Sequence, residues 1–244
     1  MTMHDALSAK ALTLISHKLR TPLSIINGYS EAVLSQAEKE NFSPFTTKAL
    51  EEINKQGIRM SVLVDKLMAF NQVVTAQSEN LEKRPVPLKE LIKECASKVL
   101  AQDDTPRTPT KNGGVKRGTF VEIDCPVQLT LLANEQMLRL AIQELLENAI
   151  KFNNKMEKII KVQVANHGDS ISISVRDYGV GIRPQDVSQI FEPFYQVDDY
   201  FTGQVNGWGL GLPMVQRILQ LHNGSINVVS DRGLGSIFTL SFPV

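Results

Sequence analysis

The sequence predicts two domains, an all-α helical hairpin followed by an α+β sandwich domain, and two observations support this division. Apolar residues in the N-terminal part alternate in steps of three and four, which is the heptad spacing of packed helices. After a proline-containing segment the pattern changes to short strands with interspersed helices, which is typical of one sheet with helices on one face. We place the hairpin at 1–78, a linker at 79–87 and the second domain at 88–244.

The predicted hairpin carries one apolar seam on each of its helices. The first seam consists of Leu12, Ile15, Leu19, Pro22, Ile26, Tyr29 and Val33, and a second run from Leu50 to Val74 repeats the spacing. Ser43 is the predicted N-cap of the second helix, with Pro44 at its first position. Two helices with one seam each cannot bury both faces alone, so we expect two hairpins to pair as a homodimeric four-helix bundle.

Elements of the second domain follow from periodicity and turn residues. Helices are predicted at 88–100, 135–153 and 213–222. Strands are predicted at 120–124, 127–133, 161–165, 170–176, 225–230 and 235–242. His167, Gly168 and Asp169 are the predicted turn of a hairpin, whereas 103–118 is rich in proline, glycine and threonine and predicts a loop.

Composition argues against several classes of protein. The chain has 26 basic and 26 acidic side chains, without the basic excess typical of nucleic-acid binders. No apolar run approaches the roughly 20 residues that span a bilayer, and no signal-peptide pattern opens the sequence. Cys95 and Cys125 are isolated, so we expect reduced thiols. These features predict a cytoplasmic protein with no membrane segment and no nucleic-acid partner.

One histidine of the first helix is positioned for chemistry. His17 falls two residues after the seam residue Ile15 and two before Leu19, so it is predicted to face solvent. Thr21 lies one turn later on the same face, and Pro22 is expected to bend the helix there. An exposed imidazole with an ordinary pKa of about 6.5 is a competent nucleophile at neutral pH. The other histidines are isolated and receive no predicted role; they are His4, His167 and His222.

Residues suited to a magnesium-bound nucleotide occur in the second domain. Glu144, Asn148 and Lys151 share one face of a predicted helix, and an amide oxygen suits Mg²⁺ while a lysine suits phosphate. The alternative is an amphipathic surface helix. Two glycine-containing segments, 177–182 and 207–212, allow the backbone to approach a ligand closely. Taken alone, each is also compatible with an ordinary turn.

These motifs together resemble those of the sensor histidine kinases. The H-box of that family is similar to Ser16-His17-Lys18-Leu19-Arg20-Thr21-Pro22-Leu23. Its ATP-binding boxes are similar to 144–152, 177–182, 191–195 and 207–212, in the same order and at similar spacing. A last match, 233–238, is compatible with either a structural turn or a nucleotide contact. The stretch 196–206 resembles the lid that closes over bound nucleotide.

The resemblance implies ATP and Mg²⁺ as cofactors and assigns roles to individual residues. It implies that His17 is the phospho-acceptor and that Thr21 orients water during dephosphorylation of a partner. Asn148 would contact Mg²⁺, Lys151 the phosphates, and Asp177 the adenine amino group. Further implied nucleotide contacts are Glu144, Phe152, Gly179, Gly181, Gly207, Gly209, Leu210, Gly211, Leu212 and Ser236. The implied partner is the receiver domain of a response regulator, whose aspartate accepts the phosphoryl group.

Lys18 departs from the family pattern and leaves three interpretations open. Most members carry Glu or Asp there to take the imidazole proton, and such help is typically worth about 10²–10⁴ in rate. A nearby cation instead lowers the pKa of His17 and can attract the γ-phosphate. The chain is therefore an active kinase, a pseudokinase or phosphatase-dominant scaffold, or a gyrase- or chaperone-type ATPase, which Glu144 favours. No sensor domain is recognisable, so we expect a fragment or a kinase controlled by a separate protein.

Overall fold

A computed structural model describes residues 19–35, 42–103, 118–197 and 208–244 of the chain. It divides the chain into two compact units, Met1–Thr75 and Ala76–Val244. The first unit is a helical hairpin and the second an α/β domain with a mixed five-stranded sheet, so the predicted fold class is confirmed. Within the described ranges, no helix is both long enough and apolar enough to cross a membrane.

The hairpin consists of α1, described over 19–35, and α2, Pro44–Thr75. The backbone N–H of Thr46 donates to Oγ of Ser43 at 3.1 Å, which confirms Ser43 as the N-cap of α2. Arg20 donates to the carboxylate of Asp65 at 2.5 Å, whereas Asn27, further along α1, donates to Ser61 at 3.3 Å. Because later residues of α1 meet earlier residues of α2, the two helices are antiparallel.

The predicted seam of α1 is exposed in the single chain. Leu23 and Ser30 are buried, at 3% and 5% exposure. The seam residues Leu19, Ile26 and Tyr29 are instead 37%, 44% and 72% exposed. We call these three residues the seam face. The hairpin thus covers one side of α1 and leaves a second, apolar side to solvent.

In its described residues the second unit contains a two-stranded sheet, a five-stranded sheet and three α-helices. Its elements in chain order are β1 (Arg84–Pro87), α3 (Leu88–Ala101), β2 (Gly118–Asp124), β3 (Thr130–Ala133), α4 (Glu135–Lys151), β4 (Glu157–Asn166), β5 (Ser170–Arg176), α5 (Gly211–Leu221), β6 (Ser225–Asp231) and β7 (Gly235–Pro243). The larger sheet has the order β2-β4-β5-β7-β6, with β2 parallel to β4 and every other pair antiparallel. The turn at 167–169 joins β4 to β5 as predicted, with the His167 N–H donating to the Ser170 carbonyl at 2.8 Å.

One face of the five-stranded sheet is buried beneath the helices. Side chains alternate along each inner strand, so that Ile160, Val162 and Val164 of β4 are buried while their neighbours are more exposed. All three helices contact strands of this sheet, which agrees with the predicted placement of helices on one face. Both cysteines are free and buried, and burial raises the pKa of the Cys95 thiol to about 11.

Two local predictions require correction. Residues 84–87 of the predicted linker form β1, which pairs with β3, so the predicted strand at 127–133 belongs to a separate small sheet. The Leu88 N–H donates to the Leu129 carbonyl at 3.1 Å. Because N–H directions alternate along a strand, Pro85 and Pro87 point their nitrogens away from the partner strand. The two prolines, which predicted a linker, are therefore compatible with a strand of a two-stranded sheet.

Candidate nucleotide-binding site

The first part of the site is the C-terminal end of α4. The apolar residues Leu145, Leu146 and Ala149 are buried, whereas Asn148 and Lys151 on the same helix are half-buried. The Lys151 ammonium lies 4.6 Å from the centroid of the Phe152 ring. An amide, a cation and an aromatic ring are thus grouped within two helical turns.

The loop after β5 packs against this helix end. The Val180 N–H donates to the Phe152 carbonyl at 3.0 Å. A β-carbon at Gly179 would lie 2.9 Å from the carbonyl carbon of Phe152, closer than atoms of that kind approach. Only glycine at 179 therefore allows the loop to reach the end of α4. α4 itself ends at Lys151 rather than at the predicted residue 153, because Asn153 turns to accept a hydrogen bond from the Lys155 N–H at 3.1 Å.

Asp177 places a buried carboxylate at the start of this loop. It is 6% exposed, and its Oδ1 accepts from the Gly179 N–H at 2.8 Å. Its backbone N–H donates to the Ser236 carbonyl of β7 at 2.9 Å. Burial raises the pKa of Asp177, while hydrogen bonds from the backbone of Gly179 and Ser236 act in the opposite direction. The result is a hydrogen-bond acceptor held rigidly in an apolar environment.

The turn between β6 and β7 supports the same loop from the other side. Gly181 adopts a φ of +68°, and a β-carbon there would lie 2.6 Å from the Asp231 carbonyl carbon. The Ile182 N–H donates to Oγ of Ser230 at 2.8 Å. That hydroxyl also lies 2.9 Å from Oγ of Ser236, which is buried. Ser236 therefore lies beneath the loop, in a hydroxyl network that fixes its position.

The glycine-rich segment before α5 completes the group. Gly209 adopts a φ of +65°, its carbonyl accepts from the Phe194 N–H at 2.8 Å, and a β-carbon there would lie 2.6 Å from the Tyr195 carbonyl oxygen. Leu210 is buried and Leu212 half-buried. A β-carbon at Gly211 would overlap the Glu144 carboxylate. The N-terminus of α5 thus lies directly beside α4.

This arrangement fits an anion together with a hard cation. The start of a helix favours a negative ligand through its backbone N–H groups and its dipole, and α5 begins at Gly211. The oxygens of Asn148 and Glu144 are of the kind that Mg²⁺ binds. Across the described residues, no group of three or more His, Cys, Asp or Glu side chains could hold a metal ion alone. Mg²⁺ in nucleotide sites is commonly held by one or two protein oxygens together with phosphate oxygens and water, and the donors present fit this pattern.

Several predicted residues fall outside this group. His17, Lys18 and Gly207 lie outside the described residues, as does most of the predicted lid at 196–206. Thr21 belongs to α1 of the first unit, where it is exposed. The remaining predicted site residues belong to the second unit and lie on the four segments described above.

An acidic residue absent from the predictions anchors the segment between the glycine loops. Asp186 is 2% exposed and accepts from Nε of Arg183 at 2.6 Å and from the Tyr195 hydroxyl at 3.0 Å. The hydrogen bond from Arg183 lowers the pKa of Asp186. The spacing of Arg183 and Asp186 is compatible with an ion pair, but the burial of Asp186 cannot be read from the sequence.

His222 has a structural place in the second unit. Its Nε2 accepts from the Asn134 N–H at the N-terminus of α4 at 3.0 Å, and its Nδ1 lies 2.7 Å from the Ile218 carbonyl. These partners require the neutral ring with its proton on Nδ1. Burial lowers the pKa of His222 accordingly. The ring therefore joins the end of α5 to the start of α4.

Both units match known protein families. Residues 133–244 match the family described as histidine kinase-, DNA gyrase B- and HSP90-like ATPases. Residues 9–75 match the His Kinase A phospho-acceptor domain.

Two of the similar curated proteins are histidine kinases by description. The chain is 29% identical over 234 residues to the sensor-like histidine kinase SenX3 of Mycobacterium tuberculosis, covering 94% of this chain and 52% of that protein. It is 30% identical over 233 residues to the sensor histidine kinase RcsC of Escherichia coli, covering 96% of this chain and 23% of that protein. The chain thus spans about half or less of the length of these relatives.

Solved structures show the same architecture. Full-length ShkA in complex with AMPPNP superposes with a TM-score of 0.68 at 25% identity, covering 96% of this chain and 45% of that one. The Acinetobacter baumannii histidine kinase AdeS gives a TM-score of 0.58 at 21% identity, covering 93% of this chain and 97% of that one. The second likeness concerns the fold alone.

Proposed function

The chain belongs to the sensor histidine kinases, and from this membership and the site geometry we propose that it uses Mg·ATP bound in the second unit to phosphorylate His17. The observation that carries the proposal is the convergence of separated segments on one site. The Val180 N–H donates to the Phe152 carbonyl, and the Asp177 N–H donates to the Ser236 carbonyl. The Glu144 carboxylate lies against Gly211. Residues far apart in sequence thereby present an acceptor, a cation and a helix N-terminus together.

Asp177 recognises the base in this proposal. An ionised carboxylate can only accept hydrogen bonds, so it selects the amino group of adenine. One of its oxygens is already held by the Gly179 N–H, which fixes the direction of the other. Phe152 supplies an apolar surface beside the base. The absence of a side chain at Gly179 and Gly181 allows the loop to pack against the backbones of Phe152 and Asp231.

Residues at the other end of the site take the phosphates. Lys151 meets them as a point charge, and the N–H groups at the start of α5 donate to their oxygens. Asn148 would hold Mg²⁺ through its amide oxygen, and the bound ion would neutralise charge on the phosphates. Catalysis in such a site rests on positioning and electrostatics rather than on covalent chemistry by the pocket.

Transfer then takes place on His17. A ring nitrogen of His17 forms a bond to the γ-phosphorus while the bond from that phosphorus to the bridging oxygen breaks, and ADP leaves. Lys18 supplies no base, so the imidazole proton passes to water. We propose that an aspartate on a response-regulator receiver domain next accepts the phosphoryl group. We further propose that Thr21, which is exposed on α1, orients the water that hydrolyses the phosphoaspartate of the partner.

The seam face supports a homodimer. Its three residues, Leu19, Ile26 and Tyr29, stay exposed although the hairpin is formed. Covering them with the same face of a second chain builds a four-helix bundle and buries apolar area on both sides. A sensory input, on a separate protein or elsewhere in a longer chain, would act through this bundle.

Incubation of the full chain with γ-labelled Mg·ATP separates the three interpretations. An active kinase gives labelled protein that loses its label in acid. A pseudokinase or scaffold binds ATP without labelling, and a gyrase-type ATPase releases phosphate with no phosphoprotein. We expect the first outcome, at a low rate that Lys18→Glu raises by restoring a base. Free phosphate without phosphoprotein, in both the wild type and Lys18→Glu, would show that the proposal is wrong.

A further inference from the structure

Asn153 is a buried polar residue that the proposed mechanism does not use. It follows Phe152 directly, and its side chain is 2% exposed. Its Oδ1 accepts from the Lys155 N–H at 3.1 Å. Because a backbone N–H can only donate, this bond fixes which amide atom is oxygen and directs Nδ2 away from Lys155. The orientation of the amide is therefore determined.

Nδ2 of Asn153 lacks a hydrogen-bond partner among the residues that the structure describes. A buried donor without an acceptor is costly, and native proteins keep few of them. Alanine at 153 would avoid this cost. A donor kept unpaired at the edge of a binding site points to an acceptor that arrives with the ligand.

Asn153 lies beside the base-recognition loop. A β-carbon at Gly179 would lie 3.0 Å from Cα of Asn153, so the two backbones are in contact. The Gly179 N–H is the same group that binds Asp177 Oδ1 at 2.8 Å. The charge of Lys155, the partner of Asn153, also lowers the pKa of Asp177 against the dominant effect of burial. Asn153 and Asp177 thus flank one glycine.

We propose that Nδ2 of Asn153 donates to the adenine ring nitrogen next to the amino group, as the second half of a base-reading pair with Asp177. This inference rests on the proposed function. Adenine presents an amino donor beside a ring-nitrogen acceptor, whereas guanine carries an oxygen acceptor in place of that amino group. Asp177 only accepts and Nδ2 only donates, so together they match adenine and exclude guanine.

The test compares Asn153→Asp with Asn154→Asp in the full chain. The first variant keeps an oxygen for the Lys155 N–H and removes only the donor, while adding a charge. The second adds the same charge at an exposed neighbouring position. Calorimetric titration with Mg·ATP is expected to give about tenfold weaker binding for Asn153→Asp, since a hydrogen bond of about 1.4 kcal/mol corresponds to that factor. Asn154→Asp should bind as the wild type does.

Deaza analogues identify the atom and remain informative if Asn153→Asp fails to fold. 1-Deaza-ATP and 7-deaza-ATP each lack one ring nitrogen beside the amino group. We expect one of them to bind the wild type about tenfold more weakly than ATP and to show no such loss with Asn153→Asp. Equal affinity of the wild type for ATP and both analogues would overturn the inference. Failure of the proposed function looks different, because the folded wild type would then bind none of the three.

Discussion

The carboxylate of Glu144 occupies the space in which a β-carbon of residue 211 would lie. Glu144 is in the middle of α4, and Gly211 is the first residue of α5. The glycine therefore allows the phosphate end of α5 to approach α4. This contact between two sequence boxes determines the spacing between Asn148 and the helix N-terminus.

Gly211→Ala is expected to weaken nucleotide binding without unfolding the protein. Alanine favours a helix by about 1 kcal/mol over glycine, so the stability of α5 should not fall. Its β-carbon must, however, displace the Glu144 carboxylate. We expect about tenfold weaker Mg·ATP binding by titration, with a urea midpoint near that of the wild type.

A double variant separates this contact from a general effect of alanine at 211. If the conflict with Glu144 is responsible, the loss caused by Gly211→Ala becomes smaller when Glu144 is already alanine. Strictly additive losses in Gly211→Ala, Glu144→Ala and the double variant would contradict the explanation.

Gly181→Ala is expected to destabilise the second unit strongly. A non-glycine residue at its φ of +68° costs about 1–2 kcal/mol, and the β-carbon would in addition meet the Asp231 backbone. Gly233 is the matched control, since its φ is +83° and nothing lies within 4 Å of its β-carbon position. Urea unfolding should show a loss of more than about 2 kcal/mol for Gly181→Ala and about 1 kcal/mol for Gly233→Ala. Equal losses would show that packing against Asp231 is unimportant.

Neutral His222 is expected to make the second unit less stable in mild acid. Burial lowers the pKa of His222 below its unfolded value of 6.5, so the unfolded chain binds this proton more readily than the folded one. The contribution is fully present above pH 6.5 and is lost as the pH falls from there toward the folded pKa, with a slope of at most about 1.4 kcal/mol per pH unit. His222→Gln should be less stable at pH 8 but lack this slope in urea midpoints measured from pH 8 to 5. An unchanged slope in the variant would assign the titration to another group.

The seam face gives a prediction about assembly. Ile26→Asp places a charge where apolar area would be buried between two hairpins, so the variant should sediment as a monomer at concentrations at which the wild type is a dimer. Ser24→Asp adds the same charge at an exposed position of α1 and should leave the dimer intact. A monomeric wild type, or dissociation by both variants, would show that the seam face does not form a dimer interface.

Local sequence signals predicted most of the architecture. The cap at Ser43 and the turn at 167–169 are determined by neighbouring residues, and both are found in the structure. The small sheet was missed because the direction of the Pro85 and Pro87 nitrogens depends on a partner strand distant in sequence. The side of α1 that is buried in the hairpin includes Leu23 and Ser30, which are not part of the predicted seam.

In the candidate site, too, local motifs could be predicted, whereas contacts between residues distant in sequence could not. Asn148, Asp177 and the glycines stand in recognisable strings, so their types and order predicted a nucleotide site. Asp186 and Asn153 were missed because their importance lies in burial and hydrogen bonding, to Arg183 and Tyr195 in one case and to Lys155 in the other. The reasons for Gly179 and Gly211, namely contacts with Phe152 and Glu144, likewise require three-dimensional proximity.

The central claim is that the site in the second unit phosphorylates His17, and acid-labile phosphate measured in matched variants tests it most directly. Wild type, His17→Ala and Asn148→Ala are incubated with γ-labelled Mg·ATP, and ATP affinity is measured for each. The account predicts acid-labile label in the wild type, none in His17→Ala despite unchanged ATP affinity, and little in Asn148→Ala because Mg·ATP binds poorly. Label that persists in His17→Ala, or Asn148→Ala with wild-type affinity and labelling, would contradict it.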